Sequence, residues 1–381
     1  MKRITIKRHK NSENSEKDIS KFKTKNQNLE ALRGILAIMV LISHISLIRM
    51  YFGRSNDYLK PFFFHLGRVG VTGFFVLSGY LITLSILKRM ENKNWSIGTF
   101  YVGRILRIWP LYYFIIVIAI CVLPQINQLH FSVPNYIIDV RVATSNYLYF
   151  IFFMPQVPII NNSVLPFAEP TWSIGIEEIF YLIIPWIIVI SKKKFATGLI
   201  VFMLLFSAAK YLAIYFYQLQ ASDFFAKLIT YYRYDCIALG CLMGVLHHNK
   251  NKIFQSIKNL HVLFSLLAIF ILFKYITIKS YDYFPFAICF AVIIAYLVNN
   301  KEKFKSPRWL IHIGTVSYSL YLTHEIVVVY FLNLNIDSKS MIAMYLLSIL
   351  CSIFLASIVY YCVERPFMKF GNYKVSKIKT L

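Results

Sequence analysis

The sequence predicts an all-α, polytopic integral membrane protein: ten transmembrane helices with both termini in the cytoplasm. Composition is the first observation behind this. Of 381 residues, 58% are hydrophobic and 15% charged, where a soluble domain carries about 25% charged residues. The second is recurrence: mean hydropathy is +0.58, and apolar runs of about 20 residues, enough to cross a hydrocarbon core, repeat along the chain. The third is the distribution of charge. Segments 1–28, 88–104, 192–194, 248–259, 299–308 and 363–381 hold 28 Lys and Arg; the alternate segments 51–68, 124–173, 218–227, 278–282 and 333–340 hold 7. Basic loops stay in the cytoplasm, and an odd number of spans would destroy the alternation. The same bias accounts for the net charge of +24. The expected partner is therefore the lipid bilayer and not nucleic acid.

Residues 1–28 are polar and basic, without the apolar core of a signal peptide, and predict a disordered cytoplasmic tail. The spans follow at 29–50, 69–87, 105–123, 174–191, 195–217, 228–247, 260–277, 283–298, 309–332 and 341–362. They form one membrane domain over 29–367, followed by a cytoplasmic tail at 368–381. A shorter apolar stretch, 144–157, ends among prolines and reads as interfacial or re-entrant. The six cysteines lie in or beside apolar runs without metal-ligand spacing, so neither a disulfide framework nor a metal site is expected.

Ionisable groups inside a bilayer are costly, which makes them the first candidates for function. Span one holds Arg33 and His44. Eleven helical steps return within about 20° of three full turns, so both lie on one face, about 16 Å apart. With Arg33 near the cytoplasmic interface, His44 falls near the midplane; the alternative is an Arg33–Glu30 ion pair and a structural histidine. In span nine, Ser317, Tyr321 and His324 share a face. Such a stripe lines a cavity or bonds neighbouring helices. Tyr318 and Glu325 share the adjacent face. Arg233 and Asp235, in the outer half of span six, contact substrate or pair with each other. Ser78 and Gly79 suit close helix packing, and Lys210 can snorkel to the outer interface.

Several segments, in order, resemble one family. "LEALRGILAIMVLISH" carries the Arg–His pair of the first span, "GRVGVTGFFVLSGYLI" a second-span signature, and "GRILRIWPLYY" an arginine-rich segment. "PTWSIGIEEIFYLIIP", "YRYDCIALGCLMG", "IGTVSYSLYLTHE" and "VERPF" follow. Together they resemble the membrane-bound acyltransferase 3 family, over residues 29 to 367. Departures are Glu30 where Asp is common, Thr72 where Asp or another polar residue is frequent, and Gly103 in place of the first of two paired arginines.

The resemblance implies an O-acyltransferase of the bacterial cytoplasmic (inner) membrane. It would move an acyl group, acetyl first among candidates, from coenzyme A to a sugar hydroxyl of a cell-surface or lipid-linked glycan. Acetyl-CoA or another acyl-CoA is then the donor. Arg33, Arg104 and Arg107 are expected to grip its phosphates from the cytoplasmic face, since the guanidinium fork suits phosphate oxygens. His44 would act as general base or transient acyl carrier. Glu177, at the outer start of span four, would bind a sugar hydroxyl or orient His44, or else simply cap its helix. Trp172, Ser173, Arg233, Asp235, Tyr321 and His324 are the expected acceptor-side contacts. A polar path should run from Arg33 to His44, and from His44 outward to Glu177. The sequence places no soluble domain after the last span, so the membrane domain is expected to complete transfer itself or to pass the group to a partner transferase. Competing classes are a polysaccharide-precursor transporter or flippase and an acyl conduit; a transporter commonly shows internal repeats, and none is apparent.

Overall fold

The computed structural model describes residues 26–54, 57, 60–91, 95–131, 146–161, 165–191, 194–218, 223–275, 282–303 and 305–378. Residues 1–25 of the expected N-terminal tail lie outside these. The described chain is helical throughout its ordered elements: α1 Gln27–Tyr51, α2 Pro61–Glu91, α3 Ile97–Cys121, α4 Thr171–Ser191, α5 Phe195–Gln218, α6 Asp223–Tyr231, α7 Tyr234–His248, α8 Asn259–Tyr275, α9 Phe284–Asn299, α10 Arg308–Thr315, α11 Ser317–Asn333, α12 Met341–Val359 and α13 Arg365–Ile378, with short helical turns between. Asn26 and Ser96 cap α1 and α3, accepting from Asn28 N and Thr99 N at 3.1 Å each.

The described residues of each expected span fall mainly on helix, and residues 276–277 of the expected span 260–277 lie outside the described residues. Among the described residues, six helices are long and apolar enough to cross a membrane, or seven counting the α10–α11 pair, which bends by 81°. α8 and α9 are apolar but shorter. Expected span six is two helices, α6 and α7, because the backbone leaves helical values at Arg233 (φ 11°, ψ 38°). There the Arg233 guanidinium donates to the Arg68 carbonyl at 2.8 Å and to Thr72 Oγ1 at 3.0 Å. The apolar stretch expected at 144–157 contributes two short helices, Tyr147–Ile151 and Gln156–Ile160. Phe153 closes against the start of α4, where a side chain at Gly175 would meet the Phe153 carbonyl.

Outward faces carry Leu182, Ile190, Leu204, Phe270, Ile342 and Phe354, all exposed. Large apolar side chains exposed in this number on apolar helices suit a lipid surround. Inside, α2 and α7 approach to backbone contact. A Cβ on Gly79 would run into the Ile237 carbonyl, and one on Gly240 into that of Val76. Small residues allow this approach where lipid supplies no hydrophobic drive. Gly314 at the end of α10 meets the Glu30 carbonyl of α1 in the same manner. This seats the bend between α10 and α11 beside Arg33. Lys210 does not snorkel. It is buried, its Nζ 2.5 Å from Asp235 Oδ2 and 2.8 Å from Asp282 Oδ1. Two carboxylates hold the ammonium inside more effectively than the interface would draw it out.

Candidate functional site

Arg33 on α1, Arg104 and Arg107 on α3, Ser78 on α2, Ser173, Glu177 and Tyr181 on α4, and Ser317, Tyr318 and Tyr321 on α11 converge on one cavity. Counted out to its open mouth, it encloses about 720 Å³ of empty space. Arg33 pairs with Glu30 at 3.6 Å, and its Nε is buried with no hydrogen-bond partner among the described residues. Arg104 lies over the Tyr181 ring at 5.3 Å. Arg107 has Arg33 and Arg104 as electrostatic neighbours, with Glu364 and Glu30 as counter-charges. Glu364 enters from a single π turn, Tyr360–Glu364, and accepts from Ser319 at 2.7 Å. Three guanidinium groups thus share one cavity, where their forked donors could engage an anionic ligand.

A second cavity adjoins it through Arg104 and Arg107, and is otherwise lined by Ser85 and Arg89 of α2, Phe100 and Gly103 of α3, and Met368, Gly371 and Val375 of α13. Residues 368–378, expected as a tail, are thus helical and form one of its walls. Gly103 faces open space there. Arg89 stands at the same opening and supplies a basic group where the family motif would place one at 103.

Glu177 is positioned otherwise than expected. It lies six residues into α4, about 9 Å from the helix start, so it caps nothing. Its carboxylate accepts from Ser78 Oγ at 3.1 Å and from Tyr181 OH at 2.6 Å. It shares the cavity with the arginines, and His44 does not line that cavity. Ser78, expected only to permit packing, is its partner. Glu178 turns away and accepts from Trp109 Nε1 at 2.8 Å.

His44 does not line the arginine cavity, which corrects the expected open path from Arg33. The cavity reaches Ser173 and Tyr321, whose hydroxyls are 2.8 Å apart. This bond joins α4 to α11 at the cavity wall. One turn further along α11, His324 Nε2 lies 2.7 Å from His44 Nδ1, and the Tyr321 and His324 ring centroids are 6.3 Å apart. Glu325 Oε1 approaches His44 Nδ1 to 4.0 Å. The face predicted for span nine is therefore real, but divided: Ser317 and Tyr321 serve the cavity, and His324 serves His44.

The remaining acceptor-side candidates do not reach the cavity. Trp172 is buried against Phe75 and Tyr231, with Arg233 at 5.6 Å over its ring. Arg233 also lies 4.0 Å over Tyr283. It does not pair with Asp235, which binds Lys210 instead. Charged groups not anticipated gather near His44: Arg68 faces it electrostatically, Glu169 neighbours Arg68, and Glu169 and Glu325 face each other. Arg68 sits inside a quoted motif but falls, by span counting, in a loop. Glu169 lies just before the α4 motif. Neither carried a periodicity signal.

Comparison with known proteins agrees with this picture. The acyltransferase domain that defines the acyltransferase 3 family matches residues 26–361. A Staphylococcus aureus (strain COL) protein with a provisional O-acetyltransferase name is 26% identical over 380 residues, covering 94% of this chain and 60% of its own. The O-acetyltransferase OatA of S. aureus (strain NCTC 8325 / PS 47) is 25% identical over 366 residues, covering 90% of this chain and 57% of its own. The chain thus spans about 60% of the length of the curated relatives it matches. No solved structure matches it significantly.

Proposed function

Given that this chain belongs to the acyltransferase 3 family, we propose that it is a multi-pass O-acyltransferase of the bacterial cytoplasmic membrane. It takes an acyl group from cytoplasmic acyl-CoA and transfers it to a sugar hydroxyl of a cell-surface or lipid-linked glycan. Acetyl is the proposed group, because the relatives carry O-acetyltransferase names. The observation that carries the proposal is the pair of cavities joined through Arg104 and Arg107. Coenzyme A is a polyanion with a narrow pantetheine arm. Its phosphates would lie at Arg89, Arg104 and Arg107, where charge-assisted bonds to guanidinium are strong. Its arm would pass Arg33 and Glu177 and bring the thioester to the Ser173–Tyr321 contact.

At that contact the thioester is one helical turn from the His44–His324 pair. With His44 as base, the acceptor hydroxyl gives it a proton as oxygen bonds to the thioester carbonyl carbon. The carbon–sulfur bond then breaks, and the departing thiolate recovers the proton from the imidazolium. With His44 as acyl carrier, the ring nitrogen attacks first and the sugar hydroxyl takes the acyl group second. Either route requires the Tyr321 hydroxyl to leave Ser173, so that this contact acts as a gate opened by the donor arm. Purified protein in nanodiscs, given labelled acetyl-CoA and a glycan acceptor, tests the proposal. Label in the glycan supports it; neither transfer nor acyl-CoA hydrolysis would favour a transporter.

A further inference from the structure

We infer that His324 is a positioning residue: it selects the tautomer of His44 and leaves His44 Nε2 as the reacting nitrogen. The inference rests on the reading of His44 as the reacting imidazole and deepens it. His324 Nδ1 lies 3.1 Å from the carbonyl oxygen of Leu320, one turn earlier on α11. A carbonyl oxygen only accepts, so Nδ1 of His324 carries the proton. In a neutral ring the other nitrogen is then a bare acceptor. That nitrogen, Nε2, sits 2.7 Å from His44 Nδ1, which therefore donates. The lone pair of His44 is left on Nε2.

The surroundings hold this arrangement. His324 is 1% exposed, and the two ring centroids are 4.8 Å apart with a 34° tilt, so neither ring turns without breaking a bond. The Glu325 carboxylate, 4.0 Å from His44 Nδ1, is too far to take the proton from His324. It lies beside the ring together with Arg68, which also faces His44. His44, His324 and Glu325 could together hold a metal ion, with ligand atoms within 4.8 Å of one another. A zinc ion bound at ~2.0–2.1 Å to each nitrogen would separate the two nitrogens by about 3.3 Å in tetrahedral geometry. The shorter contact here fits a shared proton better than a bridging ion.

In either chemical route the bond-making atom is then His44 Nε2. It takes the hydroxyl proton while carbon–oxygen forms and carbon–sulfur breaks, or it forms the carbon–nitrogen bond itself as thiolate leaves. Losing a tautomer-setting partner costs a base catalyst large factors even where geometry survives.

The test uses full-length protein in nanodiscs, with His324→Leu, His324→Gln and His44→Ala assayed for kcat, KM and acyl-CoA affinity. His324→Leu removes the acceptor; the Gln amide oxygen replaces it. The expected result for His324→Leu is a kcat lower by about 10²–10⁴-fold, with KM for acyl-CoA changed by less than about threefold. His324→Gln should recover at least about tenfold of that loss. Histidine nitrogen NMR on wild-type protein should show His44 protonated on Nδ1, a reading that does not depend on any variant folding. Near-normal kcat in His324→Leu beside an inactive His44→Ala would overturn the inference and leave the His44 reading standing. An active His44→Ala would remove that reading itself. His44 protonated on Nε2, or activity lost to a chelator and restored by zinc, would also overturn it.

Discussion

The hydroxyl of Tyr321 lies 2.8 Å from the hydroxyl of Ser173 and so ties α11 to α4 where the arginine-lined cavity ends. On one side are the basic groups suited to a polyanionic donor; on the other is His44, bonded to His324. In the proposed reaction the donor thioester and the glycan hydroxyl meet across this bond.

Tyr321→Phe keeps the ring and deletes the bond. Stability should fall only by about 0.5–1.5 kcal/mol, the ordinary worth of one hydrogen bond. Acceptor-independent hydrolysis of acyl-CoA should rise relative to transfer. Release of free coenzyme A without acceptor, followed by a thiol reagent, measures it. A hydrolysis-to-transfer ratio equal to wild type would rule out the gate.

Donor binding should follow the cavity linings. Removing one charged hydrogen bond costs about 1.5–3 kcal/mol, or roughly 10–150-fold in Kd. Arg107→Gln and Arg33→Gln should weaken acyl-CoA by such factors, and Arg89→Gln should do so to a smaller degree because its cavity is the outermost. Arg308→Gln, at an exposed position away from both cavities, is the control. Calorimetric titration with coenzyme A and its dephospho form reads each contribution. Equal affinity in all four variants would leave these arginines as interfacial anchors.

Lys210 bridges Asp235 and Asp282 inside the bundle. Lys210→Met leaves Asp235, which is fully buried, without its counter-ion, and should cost about 3–5 kcal/mol. Replacing Asp235 by Leu in the same chain should recover much of that loss. Thermal unfolding in detergent distinguishes the two; a double variant as unstable as the single one would contradict the pairing.

Gly240→Ala tests the close crossing of α2 and α7. Its added methyl would run into the Val76 carbonyl, and overpacking of this kind costs about 1–3 kcal/mol. A clear drop in Tm is expected. An unchanged Tm would mean the helices part easily.

Hydropathy made the apolar stretches legible because it acts within single helices, whereas the grouping of Arg33, Arg104 and Arg107 followed from the family resemblance and the distribution of basic loops. What the sequence left hidden depends on contacts between helices. The break at Arg233 follows from its bonds to Arg68 and Thr72 on α2, and Lys210 stays inside because carboxylates arrive from α7 and from beside α9. Glu177 was expected on the far side of His44 because loop counting fixed its depth. Helix α4 begins earlier than its apolar window, and this carries Glu177 into the arginine cavity. His324 was legible as polar and inward-facing, but its partner lies 280 residues away in sequence and no spacing rule could reveal it.

The central claim is that His44 performs the chemistry on a donor held by the arginine cavities. The most direct measurement compares wild type with His44→Ala for two quantities in one preparation: acetyl transfer from acetyl-CoA to glycan, and acetyl-CoA affinity. Transfer should fall by at least about 100-fold while Kd changes by less than about threefold. Transfer near the wild-type rate in a folded His44→Ala protein would contradict it.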